Sequence, residues 1–216
     1  MKPFLIQCQE DMHWRTQEIA LIRKATVLMG ASEEIREVLR RYSVPALYAV
    51  WEGFVVTTLA EFAMRLNKQH LLLRRVHYNL VRRDAWERFN LSSLPLDREK
   101  QASILSQMCR YFQGHLELKT DIHTNSNVDY KELCRLMTSF GVAVPDETQY
   151  KGRLAKFLNM RCCLAHGNNK LHVTEEIIKE FADLVAELME DVVEILDCAL
   201  KNKLYLSNSL EKSFVK

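Results

Sequence analysis

The chain has 216 residues, of which 48% are hydrophobic, so it is long enough to bury a substantial core as one domain. Its 30 Lys and Arg nearly balance 28 Asp and Glu, which excludes a global positive field that would by itself require a nucleic-acid partner. Only 6 glycines and 4 prolines interrupt a sequence rich in strong helix formers, so we predict an all-α fold of long helices.

The cysteines and the N-terminus predict the cellular compartment. The cysteines lack the spacing of a disulfide framework. We recognise neither a signal peptide nor an apolar run long enough to cross a bilayer, so we expect a cytoplasmic protein with reduced thiols and no membrane contact. The cysteines are Cys8, Cys109, Cys134, Cys162, Cys163 and Cys198.

The first helix is predicted from residue 1 to about residue 28, where apolar residues recur at helical spacing. We expect Trp14 to pack beneath a neighbouring helix and His13 to face water. Ser32, followed by two glutamates, is the predicted N-cap of the second helix.

Within the second helix, Pro45 is expected to kink or interrupt the backbone. The following run, residues 46–56, is apolar nearly all round and should lie centrally. Glu52 is the exception. It either lies on an exposed stripe or pairs with another functional group, because an unpaired buried carboxylate is costly.

A basic helix that contains aromatic residues is predicted over residues 68–89. Such a face can contact an RNA backbone and stack on bases, although a charge-rich amphipathic helix is more often a solvated face. Acidic neighbours are scarce, which keeps the RNA-binding interpretation open. Its candidate residues are Arg74, Arg75, Arg82 and Arg83.

Four further helices are predicted, and one domain is expected over residues 1–203 with a frayed tail over 204–216. Gly141 ends the second of these helices, Gly167 follows the third, and Thr174 caps the last. The last helix carries an apolar stripe that is predicted to be core or a dimer seam. The four helices are predicted at residues 97–118, 129–140, 148–165 and 174–200.

An arginine and a histidine lie where the third of these helices ends, Arg161 in its last turns and His166 just before Gly167. Arginine stays protonated and presents a planar fork of donors to phosphate, and histidine exchanges a proton near neutral pH. Residues five apart do not share a helix face. The pair therefore forms one site only if the helix unwinds at Gly167 or if two copies of the segment meet across a dimer.

Other chemistries fit the sequence poorly. It has no glycine-rich phosphate loop, nucleophile elbow or recognisable pair of carboxylates. Cys162, Cys163 and His166 lack the spacer of zinc sites and no second ligand pair accompanies them, so we expect no metal and no cofactor. A thiol nucleophile needs an activator, and a buried inert cysteine is the commoner outcome.

The segment Arg161-Cys162-Cys163-Leu164-Ala165-His166-Gly167 resembles the motif of HEPN domains, in which four to six residues separate an arginine from a histidine. HEPN domains are an all-helical group with many metal-independent ribonucleases. Further segments across most of the chain resemble the MAE_28990/MAE_18760-like HEPN subfamily. They are Trp14-Arg15 with Glu18, Tyr48 with Trp51-Glu52-Gly53, and Ser126-Asn127-Val128 with Phe140-Gly141-Val142.

The resemblance implies a helical bundle of long antiparallel helices with additional short helices, and a homodimer whose two motifs face one cleft. It further implies an RNA-cleaving toxin or anti-phage defence effector, with an antitoxin or defence protein as a possible partner. His166 is then general acid or base in a transesterification, and Arg161 neutralises charge on the phosphorane. Glu52 is expected to hold Arg161, with Cys162 as a second supporting residue and Asn168 and Asn169 as further RNA-binding candidates.

Two alternatives stay open. Many relatives carry asparagine directly after the motif arginine, whereas this chain has Cys162. A catalytically inactive HEPN-like module that binds RNA or a protein is therefore the second hypothesis. A helical adaptor with no RNA role is the third.

Overall fold

The structure is a computed structural model and describes residues 2–27, 30–89, 97–125, 127–167 and 171–207. Its regular structure within these ranges is helical apart from two isolated β-bridges, which confirms the predicted all-α class. A short 3₁₀ segment, Leu73–Arg75, precedes α3. The helices are α1 (Phe4–Thr26), α2 (Glu33–Asn67), α3 (Tyr78–Phe89), α4 (Arg98–Tyr111), α5 (Tyr130–Ser139), α6 (Glu147–Ala165) and α7 (Glu175–Lys201).

Several helix ends follow from the capping residues that the sequence shows. The Ser32 hydroxyl accepts a hydrogen bond from the Ile35 N–H at the start of α2. The Thr174 hydroxyl does the same for Ile177 at the start of α7. Gly141 ends α5 with a φ of +71°. Pro45 lies inside α2 without ending it.

Arg15 of α1 is buried, whereas its neighbour Trp14 is exposed. Trp14 is 47% exposed, which corrects the prediction that it packs beneath a helix, whereas His13 faces solvent as predicted. Arg15 is 5% exposed and donates to the Asp11 carboxylate at 2.7 Å and to the Val50 carbonyl at 2.9 Å. These bonds, together with one from Nη2 to the Thr57 hydroxyl at 3.3 Å, allow the burial of the guanidinium.

The helix predicted over residues 68–89 is wrong in its first half. Residues 71–73 pair instead with residues 114–116, as the bridge between Leu72 and His115 shows. Backbone groups committed to this pairing cannot make helical hydrogen bonds. For the same reason α4 ends at Tyr111 and does not reach the predicted residue 118.

The tail that was expected to be frayed from residue 204 begins with an ordered segment. Tyr205 is buried, and its carbonyl accepts a hydrogen bond from the His77 N–H at 2.8 Å. The Ser207 N–H donates to the Arg75 carbonyl at 2.9 Å. The rest of the predicted tail, residues 208–216, lies outside the described residues.

The described contacts group into two compact units. Unit 1 consists of Met1–Thr58, His123–Cys134 and Pro145–Glu194, and contains α1 and the motif helix α6. The apolar stripe predicted for the last helix, α7, is buried in this unit and is therefore core. Its buried positions are 178, 181, 184, 185, 188 and 192. The largest buried side chains of unit 1 are Leu47, Tyr48, Trp51, Phe54, Tyr150, Phe157 and Phe181.

Unit 2 consists of Leu59–Ile122, Arg135–Val144 and Ile195–Lys216, and contains α3 and α4. The Phe62 and Phe140 rings pack edge to face in its core, with centroids 5.7 Å apart. The single domain predicted for residues 1–203 stays a prediction.

One described helix, α2, is long and apolar enough to cross a membrane by length and composition. This corrects the expectation that the sequence holds no such run. In the structure 56% of its most apolar 18-residue window is buried. Core helices have the same length and composition, so these features do not assign α2 to a membrane.

Candidate active site

The motif helix α6 begins and ends at residues suited to those positions. The Asp146 carboxylate accepts the Gln149 N–H at 2.8 Å at its start. The helix ends at Ala165, and Gly167 has a φ of +79°, a left-handed conformation that favours glycine. His166 is the C-cap residue and is exposed. The sequence therefore located this helix end correctly.

Arg161 is half-buried and lies over an aromatic ring. Its guanidinium carbon is 4.6 Å from the centre of the Tyr48 ring, a cation–π contact. Its Nη1 donates to the Asn127 Oδ1 at 3.4 Å and lies 3.9 Å from the Cys162 sulfur. The ring and the amide fix the position and plane of this side chain.

Two side chains of α2 hold the backbone beside Arg161. The Val128 N–H donates to the Tyr48 hydroxyl at 2.5 Å, and the Trp51 indole N–H donates to the Val128 carbonyl at 3.1 Å. Tyr48 also packs edge to face on Phe157 at 5.8 Å. Since Phe157 precedes Arg161 by one helical turn, the Tyr48 ring supports both residues of α6.

The Tyr48 phenol is kept neutral. Burial is the main cause and raises the pKa of Tyr48 to about 12. The Val128 hydrogen bond lowers this pKa, the nearby Glu52 charge raises it, and the Arg161 charge lowers it. At neutral pH Arg161 therefore lies over an uncharged ring, and the hydroxyl oxygen of that tyrosine accepts the Val128 N–H.

We predict that Tyr48→Phe lowers the free energy of unfolding by about 1–3 kcal/mol at pH 7, because the Val128 N–H loses its acceptor. The phenol has a higher pKa in the folded than in the unfolded chain. Its contribution is therefore complete below about pH 10 and is lost as the pH rises through about 12. Urea unfolding at pH 7, 10 and 11 measures both effects.

Tyr78→Phe is the matched control, since Tyr78 is 58% exposed. Its stability should match that of the wild type at each pH. An equal loss in both variants, or none in Tyr48→Phe, contradicts the role given to the Tyr48 hydroxyl.

Glu52 lies one helical turn from Tyr48 on α2, but its hydrogen bond is not to Arg161. Its carboxylate accepts the Thr124 hydroxyl at 2.5 Å. The direct pairing of Glu52 with Arg161 that we predicted is not seen; the described partners of the guanidinium are Asn127, the Cys162 sulfur and the Tyr48 ring. The supporting role given to Glu52 stays a prediction.

Within one chain, Arg161 and His166 have different surroundings. The His166 N–H still donates to the Cys162 carbonyl at 3.1 Å, so the helix does not unwind before His166. The two residues are separated by about 7.5 Å along the helix axis. The helix ends at Ala165 and Gly167 has a φ of +79°, so the two arrangements that the sequence allowed, unwinding at Gly167 or a second copy of the segment, both stay predictions.

The predicted RNA-binding residues belong to unit 2 or lie outside the described residues. Asn168 and Asn169 are outside the described residues. Arg74, Arg75, Arg82 and Arg83 belong to unit 2, whereas Arg161 and His166 belong to unit 1. Within the described ranges, no group of three or more His, Cys, Asp or Glu is placed to hold a metal ion.

Sequence reasoning did not assign roles to Asn127, Tyr48 and Thr124. Asn127 and Tyr48 both belong to segments that carry the family resemblance. Tyr48 also lies four residues before Glu52 in an apolar run, and this spacing could have indicated that the two side chains share a helix face. What the sequence does not show is that Asn127 contacts Arg161 near the end of α6.

The profile of one protein family, RiboL-PSP-HEPN, matches residues 10–197. The match includes most of α1, all of α6 and both motif residues. This chain belongs to the RiboL-PSP-HEPN family. No curated protein and no solved structure matches it.

Membership of the RiboL-PSP-HEPN family confirms the resemblance to HEPN domains and the helical fold that it implied. It does not confirm the MAE_28990/MAE_18760-like subfamily. For this HEPN chain it indicates a role as a nuclease or in RNA binding.

Proposed function

We propose that this HEPN protein is a metal-independent endoribonuclease that cleaves RNA by transesterification. The observation that supports the proposal is the end of α6, where the His166 imidazole is exposed and the Arg161 guanidinium is held on Tyr48. An exposed imidazole can transfer a proton near neutral pH, and a fixed guanidinium can bind a phosphate.

The proposed reaction needs two proton transfers. A base takes the proton of the ribose 2′-hydroxyl, whose oxygen attacks the adjacent phosphorus. The bond from phosphorus to the 5′-oxygen then breaks, and that oxygen takes a proton from an acid. His166 supplies one of these transfers, and His166 of a second copy can supply the other. The products are a 2′,3′-cyclic phosphate and a 5′-hydroxyl.

Arg161 is proposed to stabilise the negative charge that develops on the phosphorane. Both of its hydrogen bonds to described residues use Nη1. Its Nε and Nη2 make none to described residues and can donate to phosphate oxygens. A donor held in place before the reaction is effective because it need not reorganise as charge develops.

An exposed apolar stripe on α2 supports the proposed homodimer. Ile35, Val38 and Tyr42 are 53%, 39% and 72% exposed and follow heptad spacing. Glu34 and Arg41 flank the stripe one heptad apart. Two antiparallel copies of α2 can therefore place each glutamate near the arginine of the other copy.

We predict that Val38→Glu converts the dimer to a monomer, because it puts a charge at the centre of the stripe. Size-exclusion chromatography with light scattering gives the mass, and circular dichroism checks the helix content. Leu105→Glu changes a side chain of α4 that is 63% exposed and should leave the mass unchanged. A folded Val38→Glu protein that stays dimeric contradicts this interface.

A catalytically inactive HEPN module that binds RNA or a protein is the second candidate, and Cys162 favours it. The Cys162 sulfur is 3.9 Å from the Arg161 Nη1, and a thiol is a weak acceptor. If Cys162→Asn cuts RNA under conditions where the wild type binds but never cuts, this second function is correct.

The biological setting is a proposal of the same kind. A cytoplasmic ribonuclease needs control, so we propose a toxin or anti-phage effector that is neutralised or triggered by a partner protein. Co-expression with the products of neighbouring genes tests this. Growth arrest by the chain alone and rescue by one neighbour are expected.

The cleavage reaction is tested by incubating the purified protein with a labelled RNA in EDTA. We expect fragments that end in a 2′,3′-cyclic phosphate and begin with a 5′-hydroxyl. Fragments with a 5′-phosphate would contradict attack by the ribose hydroxyl.

A further inference from the structure

Two large aromatic side chains of α3 are exposed. Tyr78 is 58% and Trp86 51% exposed, and Arg82 lies midway between them with its side chain in solvent. Residues four apart lie on one helix face, about 6 Å apart along the axis. The three side chains form a row of ring, cation and ring on unit 2.

A cationic cavity adjoins this row. It has a volume of about 300 Å³, and its lining consists of Arg82, Arg83, Trp86, Arg135 and Ser139. Three of these side chains are arginines and none is acidic among the described residues. The cavity is therefore suited to an anionic group that lies next to the Trp86 ring.

Arg83 forms a fixed wall of this cavity. Its Nη1 donates to the Ser139 hydroxyl at 2.8 Å, and its guanidinium carbon lies 4.3 Å from the centre of the Phe140 ring. This anchoring changes the role that the sequence suggested for Arg83. It shapes the cavity, whereas Arg82 and Arg135 are the exposed arginines of the lining.

The Tyr78 ring is braced from one side. The His77 ring lies against it with centroids 4.8 Å apart. His77 itself packs on Gly141, where a Cβ would come within 2.8 Å of the imidazole Nδ1. A ring held in this way loses little conformational freedom when a flat group stacks on its open face.

We propose that Tyr78, Arg82 and Trp86 form a binding surface for single-stranded RNA, with bases stacked on the two rings and a phosphate on Arg82 in the cavity. The choice of RNA as the occupant rests on the proposed function. Exposed rings alternating with a cation are the combination that binds unpaired nucleic acid, since every base has a face that can stack. In a duplex the bases stack on each other and are not available.

The test is the affinity of His166→Ala protein, which cannot cut, for a fluorescein-labelled 12-nucleotide single-stranded RNA. Fluorescence anisotropy gives the Kd. We expect Trp86→Ala to raise the Kd by about tenfold or more and Trp86→Phe to restore most of the affinity. Arg82→Gln should reduce the slope of log Kd against log salt by about one.

Matched controls are Trp14→Ala, which removes the exposed indole of α1, and Arg23→Gln, which removes an exposed arginine of α1. Neither should change the Kd, and an RNA duplex of the same length should compete poorly. An unchanged Kd in folded Trp86→Ala overturns the proposal. That is the result expected if the row binds a protein and not RNA.

RNA binding by this surface and RNA cleavage by the protein can each fail without the other. Binding that depends on Trp86 in a wild type that never cuts RNA supports this surface and rejects the nuclease. Cleavage and binding that are both unaffected by Trp86→Ala support the nuclease and reject this surface.

Discussion

His166→Ala is expected to lower the rate of RNA cleavage by about 10²–10⁴-fold, the usual contribution of a general acid or base. The imidazole is exposed at the end of α6, and its removal leaves no cavity. The variant should therefore unfold at the same urea concentration as the wild type. Single-turnover cleavage in EDTA and urea unfolding of the same preparation measure the two quantities.

His13→Ala is the matched control for this prediction. His13 is also exposed and lies on a helix of the same unit, where it contacts the Gln17 amide at 2.9 Å. Its removal should leave the cleavage rate unchanged. Equal rates for His166→Ala and the wild type would reject the proposed role of His166.

Arg161→Lys is expected to lower the cleavage rate by about 10²–10³-fold although it keeps the positive charge. A lysine is a point charge without the planar fork that binds two phosphate oxygens, and it cannot lie flat on the Tyr48 ring. The contact that is lost is worth only about 0.5–2 kcal/mol. The protein should therefore stay folded, and kcat should fall more than the affinity for RNA.

Arg23→Lys gives the comparison, since Arg23 is exposed on α1. It should cleave RNA at the wild-type rate. If Arg161→Lys is fully active, the fork of donors is not needed. If Arg161→Lys unfolds in less urea than Tyr48→Phe, Arg161 is chiefly a structural residue.

The parts of the fold that the sequence predicted correctly are those that local chemistry determines. Ser32 and Thr174 cap helices because their hydroxyls reach the N–H three residues on, and Gly167 ends α6 because it tolerates a positive φ. The motif residues Arg161 and His166 could be found in the same way, from one helix end. The family resemblance added their expected roles.

The parts that the sequence did not predict depend on contacts between distant segments. Residues 71–73 have helical composition but pair with residues 114–116, and only the folded chain shows this. The Asn127 acceptor of Arg161 is likewise 34 residues away in sequence. Trp14 was expected to pack beneath a neighbouring helix, yet it is the Arg15 guanidinium that is buried, with the Asp11 carboxylate and the Val50 carbonyl as partners.

The most direct test of RNA cleavage by two side chains without a metal is a comparison of two oligonucleotides in EDTA. One is an RNA that the protein cuts at a known bond, and the other has a single 2′-deoxy residue before that bond. We predict rapid cleavage of the first and none of the second at that bond. Cleavage that requires added Mg²⁺, or that proceeds equally without the 2′-hydroxyl, would contradict the proposed mechanism.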